Sequence, residues 1–174
     1  MLDIKYSSLS TLPSIWRSPA DEPFFLLYCR LHNVPIIHLT RRNSLEIFVS
    51  GQLADANKVW HTVDREAIRV TQAYIPVTSL LSFLRSSDEH ERLMRRWLEG
   101  YPRLVEVDYA DMFEDGDVRQ AVMDTISETL EIGEFSDRRP VLIKQAPRHV
   151  RDAIINLDEV FAALKGTQYE WMLD

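Results

Sequence analysis

The sequence predicts an α/β fold in which a parallel sheet is flanked by helices in three layers. Two segments of strand length are each followed by a helical pattern: residues 34–40, whose apolar residues are continuous, and the shorter segment 103–108. Continuous rather than alternating apolar residues are typical of strands that are covered on both faces of a parallel sheet. Because strands and helices alternate along the chain, we expect right-handed connections between neighbouring parallel strands.

The helices are predicted from caps, prolines and apolar spacing. Residues 18–21 combine an N-cap serine with a first-turn proline, so a helix should run to about residue 33. One further helix is predicted directly after the first strand, and another over 64–98 with breaks at 76 and near 86–87. Two more are predicted over 117–131 and over 147–164. The predicted core faces of the first two helices are Phe24, Leu27, Tyr28 and Leu31, and then Leu45, Val49, Leu53 and Ala56.

Length and composition predict one soluble domain that spans residues 1–174. Of these residues, 45% are hydrophobic and 27% charged, which is typical of a globular protein. No apolar run is long enough to span a bilayer and no leader peptide is visible, so we expect a cytoplasmic protein. The net charge of −7 argues against general binding of nucleic acid.

Cysteine and histidine spacing argues against a disulfide and a metal site. A single cysteine, Cys29, excludes an internal disulfide and a zinc site of the multi-cysteine type, and we interpret it as a packing residue. The histidines at positions 32, 90 and 149 have no partner at ligand spacing, so we predict no metal. His38 lies inside the first apolar strand, where a core histidine is the favoured interpretation.

An anion site is predicted where the first strand ends. Arg41 and Arg42 follow the strand directly, and Asn43 is placed to cap a helix with Glu46 at its third position. A helix N-terminus offers free N–H groups and the positive end of a dipole, and Arg42 adds a forked positive charge. Ser50 lies about two turns further on the same face. One bound phosphate could therefore contact both Arg42 and Ser50.

Four segments resemble PAPS-dependent sulfotransferases of bacterial type, where PAPS is 3′-phosphoadenosine 5′-phosphosulfate. Residues 42–50 are similar to the family's Arg-Asn pair with a serine at this spacing, which binds the 3′-phosphate. Residues 59–61 resemble its V-W-H, residues 107–112 its V-x-Y-E-D-L, and residues 166–173 its G-T-x-Y-x-W-M-L ending. The four segments follow the family order over nearly the whole chain.

This resemblance implies a P-loop-NTPase-like sulfotransferase fold and transfer of a sulfuryl group from PAPS to an acceptor hydroxyl. The other product is PAP, 3′-phosphoadenosine 5′-phosphate. The acceptor would be a small molecule, a carbohydrate or a lipid. By the resemblance Arg42 and Ser50 bind the nucleotide, and Lys144 carries a basic group near it. Arg41 either shares this role or forms an ion pair. His61 is the candidate catalytic base or sulfuryl-stabilising group, unless it only packs beside Trp60.

The resemblance also indicates missing parts. Sulfotransferases begin with a strand, a Gly/Ser/Thr-rich loop that cradles the 5′-phosphosulfate, and a helix, whereas the five glycines here are scattered. The fold would then be N-terminally incomplete, either through a late start or through loss of chemistry in a natural derivative. An uncovered sheet edge has to be covered, so we expect either a homodimer or coverage of that edge by residues 1–12. The family's acidic residue is replaced by Ala110, for which Asp108 or Asp111 would have to compensate.

Three functional interpretations follow. The first is a sulfotransferase, although the missing loop predicts little turnover by this chain alone. The second is a non-catalytic protein of the same fold that binds PAP, another nucleotide or sulfate, or an assembly partner that takes a phosphate loop from another chain. The third is a purely structural α/β module, which would make the spacing of Arg42 and Ser50 a coincidence.

Overall fold

The computed structural model describes residues 4–5, 22–114, 117–134, 139–140, 143, 146–147 and 149–174. Its α-helices are α1 (Phe24–Leu31), α2 (Ser44–Asn57), α3 (Val77–Leu98), α4 (Gln120–Leu130) and α5 (Leu157–Leu164). Its strands are β1 (Ile36–Thr40), β2 (Leu104–Asp108), β3 (Phe113–Glu114) and β4 (Asp117–Val118). Short 3-10 helices cover Arg65–Ala67, Val150–Ala153 and Glu170–Leu173.

The two predicted strands form a parallel pair. β1 and β2 pair in register from Ile36 opposite Leu104 to Thr40 opposite Asp108. The prediction of parallel strands within a mixed α/β fold is confirmed. Over the described ranges the parallel sheet contains these two strands, β3 and β4 form a separate antiparallel pair, and Ala73 makes an isolated parallel bridge with Ile154. The three-layer arrangement stays a prediction.

Helix α2 begins and packs much as its sequence predicts. The side-chain Oδ1 of Asn43 accepts the N–H of Glu46 at 3.3 Å, which satisfies one free donor of the first turn. Leu45, Val49 and Leu53 are fully buried, and burial of each such side chain contributes about 1.5–3 kcal/mol. The fourth predicted core position, Ala56, is exposed. This helix therefore holds its N-terminus rigidly beside the end of β1.

Two apolar clusters stabilise the described structure. The larger joins α2, α3, α5 and the C-terminal 3-10 helix, with Leu53, Ile75, Leu80, Leu84, Leu164 and Leu173 fully or almost fully buried. The smaller joins α1, the end of α3 and the loop before β2 through Leu26, Cys29, Met94, Leu98 and Tyr101. The predicted packing role of Cys29 is confirmed. None of the described helices has the length and apolar character needed to cross a membrane.

The predicted core face of α1 is wrong. Phe24, Tyr28 and Leu31 are exposed by 60%, 46% and 75%, whereas Leu26 and Cys29 are buried. These two sets lie on opposite sides of a helix with 3.6 residues per turn. Because α1 is apolar around most of its circumference, periodicity alone could not identify the face that packs on α3. The predicted start of this helix, residues 18–21, lies outside the described residues.

The predicted break of α3 near residues 86–87 is also wrong, because the helix runs unbroken from Val77 to Leu98. Two serines lower helix propensity only slightly, and burial of Leu80 and Leu84 outweighs that cost. Moreover, the Ser87 hydroxyl lies 3.0 Å from the Ser44 hydroxyl at the start of α2. Ser87 therefore contacts a neighbouring helix instead of ending its own.

Two asparagines explain why other predicted helices are shorter. The side-chain oxygen of Asn57 accepts the N–H groups of Arg69 and Val70, and its amide group donates to the carbonyl of Val70. These backbone groups are therefore bonded without an α-helix in the segment before Pro76. Asn156 bonds both the N–H and the carbonyl of Ile75, at 2.8 and 3.0 Å. Asn156 lies between the 3-10 helix Val150–Ala153 and α5, where one continuous helix was predicted. The predicted helix over 117–131 is shorter for a different reason, since Asp117–Val118 form β4 before α4 begins.

Candidate anion-binding site

Three element ends meet at the predicted anion site. β1 ends at Thr40 beside Asp108, the last residue of β2, and α2 begins at Ser44. Three residues, Arg41 to Asn43, connect β1 to α2. Ligands of open α/β sheets bind at the carboxyl ends of parallel strands, where a helix N-terminus can face them. The local frame predicted for an anion site is therefore present.

Asp108 holds this connection in place. Its Oδ2 accepts the backbone N–H of Arg42 at 3.0 Å and the hydroxyl of Thr40 at 3.3 Å. Its Oδ1 accepts the N–H of Ala110 at 2.9 Å, and only 11% of the side chain is exposed. A carboxylate with this many donors is costly to move, because each donor would lose its acceptor. Asp108 is thus a structural link between the ends of β1 and β2.

Arg42 lies at the surface of this junction and contacts two carboxylates. Its side chain is 59% exposed, with Nη2 2.7 Å from Oδ2 of Asp111 and Nε 3.4 Å from Oδ1 of Asp108. The charges of Asp108 and then Asp111 raise the pKa of Arg42 above its ordinary value. Asp111 is itself 62% exposed and contacts Arg42 from the outside. An anion that approached Arg42 would therefore compete with Asp111 for the guanidinium more easily than with the less exposed Asp108.

Arg41 is paired within the protein. Its Nη2 lies 3.0 Å from Oε2 of Glu46, and its guanidinium carbon lies 4.3 Å from the ring centroid of Tyr109. The side chain is 19% exposed, and its buried Nε has no hydrogen-bond acceptor among the described residues. Of the two roles left open for Arg41, the structure contains the ion pair. Glu46 consequently binds Arg41 rather than completing a reciprocal capping box with Asn43.

The charges of this junction do not sum to a positive value. Arg41 and Arg42 carry two positive charges, whereas Glu46, Asp108 and Asp111 carry three negative ones, so the ion-paired set has a net charge of −1. The sequence shows the two adjacent arginines but not these carboxylate partners. An anion that binds here competes with these carboxylates for the arginines.

Ser50 lies on the same helix as the cap but not in contact with Arg42. It is half-buried in the middle of α2, and helix geometry places it about 10 Å along the axis from Asn43 at nearly the same angle. The described hydrogen bonds include none between Ser50 and Arg42. The two residues can share a ligand only if that ligand extends along the face of α2.

His61 follows the opposite end of α2. The helix has 14 residues, a length of about 20 Å, and ends at Asn57, after which the left-handed backbone of Lys58 turns the chain away. His61 and Trp60 are both exposed in the loop that follows. The structure therefore does not bring His61 to the Arg42 junction. The remaining candidate, Lys144, lies outside the described residues.

Sequence reasoning missed how Asn43 and Asp108 act at this junction. Besides capping α2, Asn43 donates from Nδ2 to the carbonyl of Met172 at 2.8 Å. Asp108 was visible as a carboxylate at a strand end, the position where sheet ligands bind, but its partners lie far away in sequence. The described part of the chain contains no group of three or more His, Cys, Asp or Glu side chains that could hold a metal ion.

His38 is buried and paired away from the junction. Its Nδ1 lies 2.9 Å from Oε2 of Glu106, and Arg95 of α3 lies 2.6 Å from the other oxygen of that carboxylate. Burial raises the pKa of Glu106, but the hydrogen bonds and charges of His38 and Arg95 outweigh it, so the pKa is lowered overall. The interpretation of His38 as a core histidine is confirmed by its 3% exposure.

Comparison with protein families, curated proteins and solved structures finds no match to this chain. Its likeness to sulfotransferases consequently depends on the four short segments named above. Two of those segments, residues 42–50 and 107–112, meet at the Arg42 junction through Asp108 and Asp111. The ending, residues 166–173, meets the same place through the carbonyl of Met172.

Proposed function

We propose that this chain is a sulfotransferase-like protein that binds the 3′-phosphate of PAPS or PAP beside the N-terminus of α2. The observation that carries this proposal is the position of Arg42. Its exposed guanidinium lies where two parallel strands end and a capped helix begins. Arg42 would bind the phosphate by forked hydrogen bonds, and the first-turn N–H groups of α2 would add further donors. The complete fold would be a three-layer, P-loop-NTPase-like one.

The remaining candidates would act along α2 and around it. Ser50 would bind the same nucleotide further along the helix, and Lys144 would approach it from another segment. Arg41 would orient the first turn through Glu46 rather than bind phosphate directly. The ligand would have to extend along α2, because Ser50 lies about two turns from the cap.

The reaction would be an in-line sulfuryl transfer. The acceptor oxygen would form a bond to sulfur while the bond from sulfur to the 5′-phosphate oxygen breaks, and PAP would leave. A neutral His61 would accept the proton of the acceptor hydroxyl. Such transfers depend on positioning and on stabilisation of developing charge. His61 fits this role only if the acceptor binds near the C-terminal end of α2.

A second candidate function is binding of PAP or a related nucleotide without transfer. The five scattered glycines favour it, since they build no loop for a 5′-phosphosulfate. Without such backbone donors, which are typically worth about 10²–10³ in rate each, transfer would be slow or absent.

Calorimetry with PAP and 5′-AMP tests the binding site. We expect PAP to bind more tightly, because 5′-AMP lacks the 3′-phosphate. Arg42→Ala should weaken PAP binding about 10–100-fold through loss of charged hydrogen bonds. Arg92→Ala is the matched control, since Arg92 is an exposed arginine on α3 and should have no effect. Equal affinities for the two nucleotides, or an Arg42→Ala protein that binds PAP normally, would contradict the proposal.

A sulfate-transfer assay separates the two candidate functions. PAPS is supplied with phenol, sugar and lipid acceptors, and PAP release is followed by chromatography. Turnover that Arg42→Ala abolishes supports transfer by this chain. Arg42-dependent binding of PAP without turnover supports the non-catalytic function, and His61 then has no chemical role.

A further inference from the structure

Asn43 joins the start of α2 to the C-terminal segment. Its Oδ1 accepts the N–H of Glu46, and its Nδ2 donates to the carbonyl of Met172 at 2.8 Å. Capping requires only the first of these bonds, because a serine or an aspartate caps a helix about as well as an asparagine. The amide donor of Asn43 is therefore not needed for capping, and it contacts the 3-10 helix Glu170–Leu173 instead.

That C-terminal 3-10 helix is itself firmly held. Met172 and Leu173 are 3% and 2% exposed and belong to the same core cluster as Leu45 and Val49. The guanidinium of Arg151 donates to the carbonyl of Leu173 and contacts the carboxylate of Asp174. The Met172 carbonyl is thus a fixed acceptor rather than part of a fraying terminus.

Fixed contacts on both sides hold the short connection between β1 and α2. On one side Asp108 accepts the N–H of Arg42, and on the other Met172 accepts the amide of Asn43. An N-cap side chain that makes one bond can still change rotamer, whereas a second bond to a buried carbonyl selects a single rotamer. The Asn43 side chain is thereby tied both to the first turn of α2 and to the C-terminal segment.

We propose that Asn43 is a positioning residue for phosphate binding and that the segment Glu170–Leu173 is part of the binding machinery through it. Loss of the amide donor leaves α2 capped but loosens its first turn. The effect on phosphate binding rests on the function proposed above, whereas the loosening of the first turn does not. The two consequences are therefore measured separately.

Asn43→Ser tests this inference, because serine keeps a capping oxygen and lacks the amide donor. Gln168→Ala is the matched control, since it removes another hydrogen bond of the C-terminal region, from Gln168 to Asp88, without touching α2. Amide hydrogen exchange followed by mass spectrometry reports the first turn through peptides that cover residues 43–50. We expect exchange there to be about 3–10-fold faster in Asn43→Ser, and unchanged in Gln168→Ala.

PAP affinity is measured well below the melting temperature of each variant, so that loss of stability does not reduce the folded fraction. We expect Asn43→Ser to bind PAP about 3–10-fold more weakly than the parent, and Gln168→Ala to bind it equally well. A purely structural role of Asn43 would lower the melting temperature without changing this affinity.

The outcomes are distinct. Unchanged exchange in the first turn overturns the inference, and so does faster exchange with unaltered PAP affinity. Faster exchange together with weaker binding supports it. If the parent shows no Arg42-dependent binding of PAP, the proposed function fails and so does the phosphate-positioning role of Asn43. The exchange result then decides only the link between the C-terminal segment and the first turn.

Discussion

Replacing Asp108 by alanine tests whether this carboxylate holds the two parallel strands and the start of α2 together. Asp108 accepts two backbone N–H groups, from Arg42 and Ala110, at 3.0 and 2.9 Å. It also accepts the Thr40 hydroxyl at 3.3 Å. In Asp108→Ala these three donors would be either unpaired or bonded to water, at a site where the present side chain is 11% exposed. We therefore expect the ends of β1 and β2 and the start of α2 to lose stability together.

The expected loss follows from these contacts. Each of the two shorter bonds contributes about 1 kcal/mol net at a partly exposed site, and the longer hydroxyl bond less, so Asp108→Ala should lower the free energy of unfolding by about 2–3 kcal/mol. For a chain of this length that corresponds to a decrease in melting temperature of about 4–10 °C. Asp111→Ala removes only a surface ion pair and should cost less than about 0.5 kcal/mol.

Urea titration and thermal melting of the parent, Asp108→Ala, Asp108→Asn and Asp111→Ala provide the measurement. Asparagine keeps one acceptor oxygen and should lie between the parent and Asp108→Ala. The reasoning is refuted if Asp108→Ala is as stable as Asp111→Ala, since the carboxylate would then contribute no more than a surface ion pair does.

Two further predictions concern charge. Glu106→Gln should destabilise the protein at neutral pH, because the lowered pKa of Glu106 means that its charged form stabilises the folded state. That difference should shrink as the pH falls below the ordinary value of 4.5, and a pH-independent difference in melting temperature would contradict it. Asp111→Asn should raise PAP affinity about 3-fold at low salt, because a competing carboxylate is removed from Arg42, and the gain should diminish in high salt. Weaker binding by this variant in calorimetry would show that Asp111 does not compete with the ligand.

The parts of the fold that the sequence predicted well depend on local signals. Residues 36–40 lie within a continuous apolar run, residues 104–108 form the second short strand that was predicted, and α2 has both an N-cap residue and an apolar stripe. The failed predictions involve contacts between distant segments. Asn57 and Asn156 take over backbone hydrogen bonds that a helix would otherwise make, and neither role is encoded in the spacing of apolar residues.

The candidate site divides in the same way. The sequence by itself determined that an exposed arginine and a capping asparagine stand between the first strand and its helix, because strand end, cap and charge are neighbours in the chain. Only the tertiary structure decided that Asp108 and Asp111, which are 66 and 69 residues away, surround Arg42. It also decided that Met172, 129 residues away, contacts the cap. The physical reason is that local propensity specifies an element, whereas the pairing of β1 with β2 and the burial of the C-terminal segment bring these distant partners to it.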